Sequence, residues 1–256
     1  MVAFVVTSGA NWRPPIGMRR GLIPRDYTSH PVGYNAKPFD LALIPESEWA
    51  DRLAEQIRDK AQLHDVRNAG LNGHPIPSGD QNGQGYCWAY STGSALMLTR
   101  AKQGEPYVEL SPHAVAWVIK GGRDQGGWGA ESLEFVAANG MPSSASWPLR
   151  SMDGKKYNTA AMRADAAKQR ISEWMDIPPR SKPHLVTCLL LGIPVVSDFN
   201  WWGHSVCSMS LLSLNPFRTT IWNSWGDRWG DNGAGILEGS KAIPDGMICP
   251  RVAFGG

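Results

Sequence analysis

The chain has 256 residues, 42% of them hydrophobic and 19% charged, a balance that fits one large or two small globular domains. A net charge of +2, with no Lys/Arg run longer than Arg19-Arg20 and Lys155-Lys156, leaves no electrostatic footprint for nucleic acid or an anionic membrane, and no apolar run is long enough to span a bilayer. Cys87, Cys188, Cys207 and Cys249 are too few and too scattered for a disulfide scaffold or a cysteine-rich zinc module, so a reducing, intracellular compartment is the expectation. Met1 to Val6 is apolar but lacks the cationic flank and the length of a secretory signal.

Residues 1–43 carry Pro14, Pro15, Pro24, Pro31 and Pro38 and no sustained hydrophobic period. They are expected to form an extended segment lying over a surface, with a folded domain spanning 44–256. From Glu46 to Val66 the spacing of Trp49, Leu53, Ile57 and Leu63 predicts one amphipathic helix. A breaker-rich link, with seven Gly and Pro residues between Gly70 and Gly85, then leads to a second helix over Cys87 to Lys102. Further helices are expected after Ser111-Pro112, ending at Gly121, with His113 exposed in the first turn; over Ala130 to Asn139; over Thr159 to Trp174; and over His184 to Leu191. From Ile193 the character changes to strand-like runs at 193–196, 204–214, 217–223, 234–238 and 248–254. Helices first and strands later indicate an α+β chain in two halves, 81–150 mainly helical and 190–256 mainly β, and a cleft between such halves is a preferred ligand site.

A glycine loop delivers Cys87 to a helix start, where unpaired N–H groups and the helix dipole favour thiolate over thiol. A cysteine on an apolar helix is more often a small core residue, so the surrounding residues must decide. The run Gln81-Asn82-Gly83-Gln84-Gly85-Tyr86-Cys87-Trp88 resembles the nucleophile loop of the papain-like cysteine peptidases. In that family a Gln six residues before the Cys donates to the oxyanion, the place Gln81 holds here. Acyl transfer also needs a base for the thiol and an orienter for the base. Gly203-His204-Ser205-Val206 opens a predicted strand as the family's His does, and Asn223-Ser224-Trp225-Gly226 followed by Trp229-Gly230 is similar to the family's Asn motif.

The resemblance implies a two-lobed fold with a β-barrel-like C-terminal half. It implies Cys87 as nucleophile, His204 as base and acid, Asn223 as orienter and Gln81 in the oxyanion hole, with no metal or cofactor. It also implies a substrate cleft in which Gly126 and Gly127 pair with an extended protein or peptide and Trp128, Trp202, Gly203 and Trp225 line the pockets, favouring a bulky apolar side chain. The expected function is peptide-bond hydrolysis; an amidase, a peptidoglycan hydrolase or a catalytically silent peptide-binding protein on the same scaffold are the alternatives. Two departures stand out: Gln84 occupies the position of a family cysteine, which removes the disulfide beside the nucleophile, and residues 1–43 are too short for the family's helical prodomain. That short segment could instead lie across the cleft and block it. Of the twelve tryptophans, Trp88, Trp128, Trp202, Trp225 and Trp229 fall inside the motif segments, with Trp201 and Trp222 adjoining. Trp12, Trp49, Trp117, Trp147 and Trp174 are core candidates.

Overall fold

A computed structural model of the chain describes residue 6, residues 17–28 and residues 36–254. Trp12, Pro14, Pro15 and Pro31 lie outside the described residues. In chain order the elements are β1 (Lys37–Pro38), α1 (Trp49–Arg58), α2 (Leu63–Ala69), α3 (Cys87–Lys102), α4 (Pro112–Ile119), α5 (Gly129–Asn139), α6 (Gly154–Tyr157) and α7 (Ala160–Ala166). They continue with β2 (Arg170–Ile177), α8 (Lys182–Leu190), β3 (Val195–Phe199), β4 (His204–Leu214), β5 (Phe217–Trp222), β6 (Ala234–Glu238) and β7 (Gly246–Phe254).

The strands form one open sheet in the order β1-β2-β7-β3-β4-β5-β6, antiparallel except for the β1–β2 pair. The expected barrel-like half is therefore corrected: the strands do not close on themselves. Period-two alternation explains why. Val195, Val206, Met247 and Cys249 point into a core shared with α1 and α8, whereas their neighbours Val196, Cys207 and Ile248 point into a core shared with α3, α4 and α5. With helices on both faces, the central strands are buried on both sides, and every residue of β3 is buried, the polar Ser197 and Asp198 included. Helix α3 is likewise buried around most of its girth because it is wedged between the sheet and the α4–α5 pair.

Several sequence expectations change. The single helix over 46–66 is two, α1 and α2, because Lys60 takes a left-handed conformation (φ 50°) between them. Ile57, expected on the buried face, is 52% exposed, while Gln56 is buried and its amide donates to the carbonyls of Leu189 and Leu190 on α8. The helix expected over 159–174 stops at Ala166, and Trp174 is in strand β2 paired with Pro250. His113 is buried rather than exposed, bonded through Nδ1 to the Tyr90 hydroxyl at 2.6 Å. Burial holds its pKa down at about 4, so it is a neutral core histidine. Trp49, Trp147 and Trp174 are core residues as expected, and Trp117 is half-buried against Trp147.

Candidate active site

Cys87 is the first residue of α3 and has no solvent exposure. Across from it β4 begins at His204, and the backbone N–H of Ser205 faces the Cys87 sulfur. The imidazole of His204 is bonded through Nε2 to Asn223 Oδ1 at 2.7 Å. The same Oδ1 accepts from the Ser224 N–H at 2.8 Å, which fixes it as an acceptor and places the ring proton on Nε2. Nδ1 has no hydrogen-bond partner among the described residues, so its lone pair is free. Trp225 stacks on the imidazole at 4.6 Å between ring centres and Trp202 meets it edge-on at 4.8 Å. These rings exclude water from the His204–Asn223 bond and strengthen it.

Gln81 is buried, locked by a backbone bond to the Ser224 carbonyl and by the Ser224 hydroxyl donating to its Oε1 at 2.6 Å. Its Nε2 is thereby turned into the cleft, where it donates to the carbonyls of Arg19 at 2.8 Å and Gln84. The four candidates for chemistry thus come from the starts of α3 and β4 and from two loop positions, Gln81 before α3 and Asn223 just past β5, brought to one cleft by the packing of α3 against β4.

Residues 17–28 run through this cleft, filling it. The Gly21 N–H donates to Cys87 Sγ at 3.2 Å, the Leu22 N–H to the Gly203 carbonyl, and Leu22 bridges Gly127 in the parallel sense, with Gly127 N–H to Gly21 O at 2.9 Å. Trp225 Nε1 reaches Arg19 O at 3.1 Å, Trp128 Nε1 reaches Ile23 O at 2.8 Å and Arg20 reaches the Trp202 carbonyl at 2.8 Å. All six pocket candidates, Gly126, Gly127, Trp128, Trp202, Gly203 and Trp225, accordingly lie along the path of the chain's own segment or against His204. The glycines permit this approach: a Cβ on Gly126 would stand 2.5 Å from the Gly21 carbonyl oxygen, and one on Gly21 would stand 2.0 Å from the Gly85 carbonyl oxygen.

Burial under this segment sets the electrostatics. Loss of water pushes the Cys87 thiol up to about 12, against the smaller downward pull of the Ser205, Gly21 and Leu22 amides. The same loss of water brings the His204 imidazole down to about 3, although its bond to Asn223 favours the charged ring. In the closed form the pair is therefore thiol and neutral imidazole. Gln81 addresses the carbonyl of residue 19 whereas the sulfur meets the amide N–H of residue 21, so no single peptide bond is presented for attack.

The sequence reading missed one acidic residue here. Asp198 on β3 is 4% exposed, accepts from the Tyr27 hydroxyl at 2.8 Å and faces the Ser205 side chain and the Gly129 amide. Burial raises its pKa to about 6. Its signal was a lone charged residue inside the apolar run Val195-Val196-Ser197-Asp198-Phe199.

Comparison with known proteins agrees with this geometry. No family model matches the chain. Zingipain-2 of Zingiber officinale is 25% identical over 197 residues, covering 68% of this chain and 87% of that one. The chain superposes on xylellain, a cysteine protease of Xylella fastidiosa, with a TM-score of 0.61 at 17% identity, covering 86% of this chain and 96% of that structure. It superposes on the bromelain protease of Ananas comosus, solved with the E64 inhibitor, with a TM-score of 0.58 at 20% identity over 73% and 97% of the two chains. The fold is papain-like. The sequence likeness and the fold neighbours together support a papain-like cysteine peptidase family.

Proposed function

We propose that the chain hydrolyses peptide bonds in proteins or peptides through a thioester acyl-enzyme, with Cys87, His204, Asn223 and Gln81 as the reacting set. The observation that carries this reading is the 2.7 Å bond from His204 Nε2 to Asn223, which leaves Nδ1 as the free base beside the strand that faces Cys87. Cys87 Sγ adds to the substrate carbonyl carbon as its proton passes to His204 Nδ1. The tetrahedral oxyanion accepts from Gln81 Nε2 and the Cys87 backbone N–H, donors each worth about 2.7–4 kcal/mol in other acyl-transfer enzymes. Collapse breaks the C–N bond, and the leaving amine takes the proton back from His204. A water molecule, deprotonated by the same imidazole, then cleaves the thioester and restores the thiol.

Residues 17–28 hold the resting site closed in this reading, so activity requires that segment to leave or be cut. The four cysteines are unpaired, which supports a reducing compartment as the setting. Labelling by a thiolate-trapping epoxide, followed by mass spectrometry, tests the assignment. Label is expected on Cys87, absent in Cys87→Ala and indifferent to a chelator; label that persists elsewhere in Cys87→Ala overturns it.

A further inference from the structure

The pocket that receives Tyr27 is built around a buried acid. In the sheet, Asp198 lies directly opposite Ser205 on β4 and Gly246 on β7, so these three share one face. Small residues on both sides of the acid leave a notch: a Cβ on Gly246 would stand 2.3 Å from the Tyr27 ring. Gly129, at the start of α5, closes the notch from above; a Cβ there would meet Val196 at 2.4 Å and Asp198 Oδ1 at 3.7 Å. At the mouth, Trp128 takes the Ile23 carbonyl and the Arg25 guanidinium lies over both Trp128 (4.9 Å) and Tyr27 (5.5 Å). Ser205 links the notch to the reaction centre, its side chain facing Asp198 and its backbone N–H facing the Cys87 sulfur.

Tyr27 supplies one donor, to Asp198 Oδ2; Oδ1 has no hydrogen-bond partner among the described residues. When the segment leaves, Tyr27 leaves with it and the whole carboxylate becomes the floor of an open pocket. An apolar side chain entering there would bury the acid with only the Ser205 side chain and the Gly129 amide facing it and no partner charge, at a large desolvation penalty. A side chain ending in a cation brings the opposite charge and more than one N–H, and so satisfies both oxygens.

We infer that Asp198 is the specificity-determining residue of this cleft and selects peptide substrates carrying Lys or Arg in the pocket that Tyr27 occupies in the closed chain. This replaces the apolar preference expected from sequence, and it rests on the peptidase reading above. The test uses the full chain carrying Gly21→Ala, whose added Cβ would stand 2.0 Å from the Gly85 carbonyl oxygen and so keeps residues 17–28 out of the cleft, and two matched series of amino-terminally blocked dipeptides with alanine at the scissile bond and Lys, Arg, norleucine, Leu or Tyr before it. One series, of fluorogenic amides, is assayed for kcat/KM with this opened parent and with Asp198→Asn and Asp198→Ala added to it. The other, of free peptides, is titrated calorimetrically into the opened parent carrying Cys87→Ala, with and without Asp198→Asn.

In the opened parent Lys and Arg are expected to exceed norleucine by about tenfold or more, since a site built to pair a polar group rejects the analogue that lacks it. That ratio is expected to fall to near one in both Asp198 variants. Because it compares two substrates on the same protein, a variant that folds poorly does not distort it. Hydrolysis that favours norleucine, Leu or Tyr, or a Lys preference unchanged by Asp198→Asn, overturns the inference and leaves the peptidase reading intact. Absence of all hydrolysis, with Lys peptides binding selectively and losing that selectivity in Asp198→Asn, overturns the peptidase reading and leaves the Asp198 pocket as a binding site. Absence of both hydrolysis and selective binding overturns both.

Discussion

The Gly21 N–H donates to the Cys87 sulfur at 3.2 Å, placing the chain's own backbone on its candidate nucleophile. The contact is possible only because residue 21 has no side chain, its Cβ position being 2.0 Å from the Gly85 carbonyl oxygen and 2.2 Å from the carbonyl carbon. Both atoms are backbone and cannot swing aside. Gly21→Ala is therefore expected to expel residues 17–28 and to raise the alkylation rate of Cys87 by about tenfold for each 1.4 kcal/mol taken from the closed form. Iodoacetamide labelling of the full-length protein measures this; equal rates in wild type and variant would dismiss the closed resting state.

The pH profile of that alkylation should report which form is present. In the closed form burial holds the thiol up at about 12, so at any lower pH the thiolate is a minor species and its fraction grows as pH rises. Wild-type labelling is expected to climb through pH 9 without a plateau. In Gly21→Ala the rehydrated thiol beside His204 should ionise at lower pH, moving the rise toward neutrality. Stopped-time labelling from pH 5 to 10 separates the two, and superimposable profiles would contradict the burial argument.

Gln81 holds the Arg19 carbonyl in the closed form and is proposed to hold the oxyanion in the reaction. Its removal should therefore act in opposite directions on two readouts. Gln81→Ala is expected to speed alkylation of Cys87 by loosening the segment, while lowering kcat on a peptide substrate by about 10²–10³. A residue that only packs the loop would change neither the labelling rate upward nor kcat so selectively.

Arg67 is a structural counterpart with no part in the chemistry. Fully buried, it lies under Trp222 at 4.7 Å, donates to the Ser78 hydroxyl and the Asn232 carbonyl, and has Asp227 3.9 Å away. Burial brings its pKa down to about 10, yet it stays charged at neutral pH. It ties the link before Gln81 to the loop after Asn223, so Arg67→Ala should cost about 3 kcal/mol of stability, as loss of a buried, bonded charge does elsewhere. Thermal unfolding checks this, a drop in Tm of under a degree being the contrary result.

Much of the site was legible because it rests on local rules. Glycines before Cys87 and a helix after it, Gly203 before a strand opening at His204, and Asn223 just beyond a strand are all set by turn chemistry and by hydrophobic period within a few residues. The boundaries of α3, α5 and strands β4 to β6 followed for the same reason. The helix expected over 159–174 failed because its second half is an edge region of the sheet, where pairing with β7 outweighs a helical spacing of apolar residues.

What the amino-acid sequence by itself determined is the chemistry available: a cysteine at a helix start, a histidine, an asparagine and a glutamine in the order of one peptidase family. Tertiary structure alone decided the rest. Whether β3 to β7 closed into a barrel depended on helices α1 and α8 covering the second face, a long-range fact invisible in any strand. The character of the pocket depended on cross-strand register, which sets Asp198 beside Ser205 and Gly246 and beneath Tyr27, 171 residues away in the chain. The protonation of Cys87 and His204 depended on which segment excludes their water, because a buried charge is governed by its solvent and not by its neighbours in sequence.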